Sequence, residues 1–227
     1  MATDAVRTRF AGRASLGSYL GLLGLALAAG ACASPAAERT AGHSAAGAPL
    51  SATPSRSPPG NPSAGRAVAL VNPGFESAAS GPDGDPQGWY TGQHAGDQSY
   101  LFTIDAAAKV GGTRSLRIDN VGIEPFGSVV QVVPARPLAT KTVRFSAWLK
   151  TQAANAGGAS LFIIAEVGGG IVAYDFMAGS EVKGTTDWAR HSVTVLIPAQ
   201  ADLLRVGATL RGTGSVWFDD AELEVAP

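Results

Sequence analysis

The chain is poor in cysteine, histidine, charge and aromatic residues, and each shortage removes a class of protein. One cysteine, Cys32, excludes an intrachain disulfide, so burial and bound groups must hold the fold. There are three histidines, and no HExxH, CxxC or GxSxG pattern occurs, which leaves the common zinc, redox and serine-hydrolase signatures without an anchor. Charged residues make up 15% of the chain and form no basic run, so no nucleic-acid partner is expected. From Ala67 onward no apolar period of 3.6 is sustained, which excludes a helical bundle.

What is abundant is small and turn-forming. The 29 glycines and 14 prolines suit an all-β domain with many turns. The charge is also unevenly placed. Residues 1–66 carry six basic and two acidic side chains, whereas residues 67–227 carry 11 and 16. The second part is therefore mildly acidic.

Residues 1–33 read as a signal segment. Arg7, Arg9 and Arg13 form a basic start, "LGSYLGLLGLALAAGA" is uncharged and mostly apolar, and "ACAS" is a small-residue exit. The apolar stretch is short and glycine-interrupted for a membrane span, which takes about 20 residues. "AAGAC" resembles the lipobox of bacterial lipoproteins, with Ala29 where that motif prefers Leu. The resemblance implies a lipid on Cys32 and an exported, membrane-anchored chain. Ordinary cleavage at Ala31 or Ala33 is the alternative, and the mass of the mature N-terminus separates the two.

Residues 34–66 contain one leucine and no aromatic residue among many Ala, Ser, Pro and Gly. Such a segment buries too little apolar surface to offset its ordering entropy and reads as a disordered linker. The texture changes at 67–227. Short apolar runs follow one another, among them "YLFTID", "SLRID", "SVVQVV", "KTVRFSAWLKT", "SLFIIAEV", "IVAYDFM", "RHSVTVLI" and "LLRVGATL", with Gly, Pro, Asn or Asp between them. About ten strands in one domain predict an antiparallel two-sheet β-sandwich, or jelly roll. In "VRFSAWLK", Val143, Phe145, Ala147 and Leu149 share one face, and Arg144, Ser146, Trp148 and Lys150 the other. His191 has the inward parity of Val193, Val195 and Ile197 and reads as structural.

The closing strand, "SVWFDDAELEV", carries Asp219 and Asp220 side by side, so one of them faces inward. Asp219 shares its parity with Trp217, Ala221, Leu223 and Val225, which makes it the inward one unless a bulge exchanges the faces.

"LVNPGFE", "GWY", "GGTRSLRI", "VRFSAWLKT", "GTTDWARHSVTVLIP" and "GTGSVWFDDAELE" occur in that order over 67–227. In this the chain resembles bacterial carbohydrate-binding modules of families 4 and 9, within the galactose-binding-like jelly rolls. The resemblance implies a structural calcium ion near the junction of first and last strands, held by Glu76 with Asp219 or Asp220. It also implies that Trp89 and Trp188 are core residues. Calcium takes six to eight oxygen ligands, and carboxylates with backbone carbonyls supply them.

Sugars are held by aromatic faces and by charged or amide side chains. Trp148, Tyr174, Glu166 and Arg144 are the candidate ligand-binding residues, on a shared concave face; packing of Trp148 under a loop or against Phe162 is the alternative. No catalytic constellation is found. The reading is a non-catalytic, secreted or lipid-anchored envelope protein whose jelly roll binds carbohydrate or a cell-wall polymer. The alternatives are a structural or protein-interaction module and a hydrolase with an unrecognised site.

Overall fold

The structure, a computed structural model, describes residues 65–77 and 85–227. The signal segment with Cys32 and nearly all of the linker lie outside the described residues. The ten strands of the described residues are β1 (Arg66–Val68), β2 (Tyr90–Gln93), β3 (Tyr100–Asp105), β4 (Ser115–Asn120), β5 (Phe126–Pro134), β6 (Thr142–Val167), β7 (Gly170–Asp175), β8 (Val182–Leu196), β9 (Leu203–Arg211) and β10 (Ser215–Val225). All pair antiparallel.

They form a sandwich of two layers, as the alternation of short strands and turns predicts. One layer runs β3-β4-β10-β6-β8, with β1 on β10 as well; the other runs β2-β5-β9-β6-β7. β6 belongs to both. Its first part pairs with β10 and β8, and its last part, from Gly158, pairs with β9 and β7. "KTVRFSAWLKT" and "SLFIIAEV" are thus one strand of 26 residues where two are expected. The crossing between layers falls at 153–158, where Ala153 and Ala156 take φ of 51° and Gly158 of 67°. Two alanines in left-handed geometry cost roughly 1–2 kcal/mol each, a strain the surrounding pairing must hold.

The core lies between the layers and is built by the alternation. Val143, Phe145, Ala147 and Leu149 of β6 point inward, as do Leu161 and Ile163 further along it, and Leu204, Val206, Ala208 and Leu210 of β9. An aromatic knot closes one end. Phe75, Trp89 and Phe218 pack with ring centroids 5.4 Å apart in each pair. The Trp89 indole donates to the Asn72 carbonyl at 3.0 Å. The turn that opens the domain is thereby fixed against the strand that closes it.

Trp188 departs from expectation: it is half-buried and outside the core, because it shares the parity of Arg190 and Thr194 and not that of the inward Val193 and Val195. Trp217 is buried, on the outer side of its layer, with the Arg117 guanidinium 4.7 Å above its ring and its indole N–H donating to Asp105 at 2.7 Å.

Candidate functional site

The closing strand contains the bulge that would exchange its faces. The register of β10 on β6 shifts between Asp219 and Glu222, and Asp220 takes φ of 46°. Before the bulge Val216 and Phe218 enter the core; after it Ala221 and Leu223 do. Asp219 is fully buried and Asp220 exposed. The inward choice of Asp219 thus holds as burial, with a correction to its direction. Asp219 stands opposite Trp148 on the outer side of the layer, and what covers it is the loop between β3 and β4.

That loop is clasped by carboxylates from both ends of the domain. Asp219 Oδ2 accepts from the amides of Val110 at 2.8 Å and Gly111 at 3.4 Å, and Oδ1 from the Asp220 amide at 2.7 Å. Glu76 Oε1 accepts from the amides of Thr113 at 2.8 Å and Arg114 at 3.0 Å, and Oε2 from the Thr113 hydroxyl at 2.6 Å. Burial pushes the Asp219 carboxyl above its ordinary pKa, and the neighbouring Asp220 charge adds to this against the pull of the amides. The Thr113 hydrogen bonds hold Glu76 below its ordinary pKa.

The three acids surround Gly74. A Cβ there would lie 3.3 Å from Asp220 Oδ1, 3.6 Å from Asp219 Oδ1 and 3.8 Å from Glu76 Cγ. Their oxygens are the donors calcium prefers. As placed, Asp219 and Glu76 spend theirs on the loop, and among the described residues no three Asp, Glu, His or Cys side chains are grouped to hold a metal ion.

The candidate ligand residues divide between the two outer faces of the sandwich. Trp148 and Arg144 lie on the layer that carries β10. There Arg144 pairs with Glu224, and Arg190 with Glu222; Arg190 also donates to Ser146 Oγ at 2.9 Å. These groups line a shallow groove of about 480 Å³. Its charges are already matched. His191 points inward beneath it. Burial holds its imidazole below the ordinary pKa, and among the described residues Nε2 has no hydrogen-bond partner.

Glu166 and Tyr174 lie on the other layer, with residues the sequence reading passed over. One rung across that outer face is Gly92, Ser128, Thr209 and Ser160; the next is Tyr90, Val130, Gly207 and Phe162. At Gly207 a Cβ would come 1.9 Å from the Val129 carbonyl oxygen, so the floor stays bare there. Aromatic rings stand at both edges. Tyr90 is exposed, and Tyr174 is 57% exposed, 5.1 Å from Phe176, which is itself 6.1 Å from the buried Phe162.

Glu166 is 1% exposed, and Arg205 Nε donates to its Oε1 at 2.7 Å. Among the described residues its second oxygen, Oε2, has no hydrogen-bond partner, nor does the buried Ser128 hydroxyl. Buried polar groups are rarely left unpaired, and an unmade hydrogen bond costs roughly 1–3 kcal/mol. This face therefore combines exposed rings, a low floor and two unsatisfied polar atoms. The other face offers matched ion pairs.

No protein-family model and no curated protein sequence matches the chain. Solved structures share its fold. A family 22 xylan-binding domain of Xyn10C from Paenibacillus barcinonensis is 16% identical, with a TM-score of 0.52 over 72% of this chain and 97% of that one. The cyclase Fisc from Fischerella sp. TAU is 14% identical, with a TM-score of 0.51 over 72% of this chain and 100% of that one. An arabinose-bound α-L-arabinofuranosidase, MgGH51, is 15% identical, with a TM-score of 0.51 over 72% of this chain and 27% of that one. Likeness at these identities establishes the jelly-roll sandwich and leaves function to the site.

Proposed function

We propose that this is a non-catalytic, exported envelope protein, anchored by a lipid on Cys32, and that it binds carbohydrate or a related cell-surface polymer on the outer face of β2, β5, β9, β6 and β7. The observation that carries the reading is the pair of exposed rings, Tyr90 and Tyr174, at the two edges of a floor that Gly207 keeps low. A tyrosine face supplies the apolar surface on which a pyranose ring rests. That a xylan-binding domain shares the fold is in keeping with this reading.

Pull-down of the full chain on insoluble xylan, cellulose and peptidoglycan tests it. Tyr174→Ala weakens retention about tenfold, the loss of roughly 1.4 kcal/mol of contact, while leaving the melting temperature unchanged, because that side chain is mostly exposed. Trp148→Ala leaves binding as it was. Retention on none of the polymers would turn the reading to a protein-interaction module.

We also propose a structural calcium ion at the carboxylate clasp. Glu76, Asp219 and Asp220 are the side chains that would hold it. In its support, Asp219 is buried next to a second carboxylate, and neither forms an ion pair among the described residues. A cation that binds only the folded state stabilises it by mass action. Millimolar calcium raises the melting temperature of the chelator-treated protein by several degrees. No shift would leave the loop amides as the whole of the clasp.

A further inference from the structure

The two rings at the edges of the ligand face are held differently. Tyr90 is 56% exposed and Tyr174 57%. Among the described residues Tyr90 packs against no other ring. Tyr174 stands at the outer end of a ladder of three. Its centroid is 5.1 Å from that of Phe176, with the planes 35° apart, and Phe176 is 6.1 Å from Phe162 at 44°. Phe162 is 1% exposed and clusters with Val130 and Ile164, and Phe176 packs against that cluster.

The middle rung is pinned through its chain neighbours. Phe176 follows Asp175, the last residue of β7. Asp175 Oδ1 accepts from the Met177 amide at 3.0 Å, and Oδ2 from the Thr194 amide of β8 at 3.0 Å. Met177 takes φ of 55°, is buried, and accepts from the Leu161 amide of β6 on its sulfur at 3.2 Å. The residues on both sides of Phe176 are thus tied to two other strands, and the Phe176 ring is held between Phe162 and Tyr174. A free ring gives up rotamer freedom when a ligand stacks on it, and a ring already held has less to lose.

We propose that Phe176 is a positioning residue, which sets the Tyr174 ring as the rigid platform of the ligand face, while Tyr90 at the opposite edge is an adjustable one. The inference rests on the carbohydrate reading above. Aromatic pairs favour offset or tilted geometries at centroid distances of about 4.5–7 Å, and both steps of the ladder fall in that range. Phe176 acts through Tyr174, without touching the ligand. A sugar set on Tyr174 meets a ring whose orientation the protein has already chosen, so this platform selects the sugar face that fits it. Tyr90 adds contact and little selection. Loss of the Tyr174 ring therefore weakens binding more than loss of the Tyr90 ring.

Depletion isotherms of the full chain on insoluble xylan, cellulose and peptidoglycan are the test. Phe176→Leu weakens retention about fivefold, and Phe176→Tyr, which keeps the ring, binds as the parent does. Phe176→Leu combined with Tyr174→Ala is no weaker than Tyr174→Ala alone, because the two residues act as one. Tyr90→Ala weakens retention about threefold, less than Tyr174→Ala. Circular dichroism shows that each variant is folded, and Phe176→Met replaces Phe176→Leu should leucine unsettle the fold. A ligand-free measurement runs beside these. With 3-fluorotyrosine in the chain, the Tyr174 fluorine resonance, assigned by its loss in Tyr174→Phe, moves in Phe176→Leu, and that of Tyr90 does not. Parent-level retention by Phe176→Leu overturns the inference and leaves the carbohydrate reading standing. So does a double variant weaker than Tyr174→Ala by the full factor, a Tyr90→Ala loss as large as that of Tyr174→Ala, or an unmoved Tyr174 resonance. Retention of the parent on none of the polymers overturns both.

Discussion

Replacing Arg205 with Leu lowers the stability of the domain by about 3–5 kcal/mol, the usual cost of removing one partner of a buried ion pair. The melting temperature falls by roughly 10 °C in a domain of this size. The reason lies in the asymmetry of the pair. The Arg205 side chain is 19% exposed and reaches water, whereas Glu166 is 1% exposed and does not. Without Arg205 the carboxylate is left in the sheet with no counter-charge. The double variant Glu166→Leu with Arg205→Leu removes both charges and recovers most of the lost stability, since apolar replacement of a whole buried pair is often neutral or better. Thermal melts of the single and double variants check both results. A single variant as stable as the parent would mean that Glu166 finds water on its own.

Asp219→Ala costs about 3 kcal/mol, measured by urea unfolding. The substitution removes the acceptor of three amides, those of Val110, Gly111 and Asp220. Each buried donor left unpaired costs roughly 1–3 kcal/mol, and relief from burying the carboxylate offsets part of the sum. Asp220→Asn, by contrast, stays within about 0.5 kcal/mol of the parent in the absence of calcium, as exposed substitutions generally do. The clasp also responds to pH in two directions. The folded pKa of Asp219 is raised, so its ionisation opposes folding as the pH climbs through the carboxylate range. The folded pKa of Glu76 is lowered, so its contribution is present at neutral pH and is lost as the pH falls through that folded value. An Asp219→Ala protein equal to the parent in stability would take the clasp out of the fold's energetics.

The strands were legible because burial imposes its period on them. Val143, Phe145, Ala147 and Leu149 alternate with polar neighbours and all point inward. Where the backbone departs from the period, reading fails. Nothing in "TQAANAGGAS" announces that one strand passes from one layer to the other there, so Trp148 and Arg144 were placed on a face with Glu166 and Tyr174 when the sandwich separates them. The bulge at Asp219 had a sequence trace in the doubled aspartate, since aspartate tolerates left-handed geometry better than most residues. Arg205 left a signal as well, a charge inside the otherwise apolar "LLRVGATL". Its partner, 39 positions earlier, becomes visible only through the pairing of β6 with β9. Ser128 left none, because a serine in a strand looks the same whether its hydroxyl is satisfied or not.

The way the chain enters the fold governs how the domain carries load. β1 gives three residue pairs with β10, Arg66 opposite Val225 and Val68 opposite Leu223. Beyond it the Gln131 side chain takes over, accepting from the Val71 amide at 2.7 Å and donating to the Val71 carbonyl at 2.9 Å. A force drawn on the chain at Gly65 would first peel β1 and then meet this single side chain before reaching Phe75 and the aromatic knot. Tension arriving from the N-terminal side is therefore absorbed in steps, and the second step already bears on β5 through Gln131.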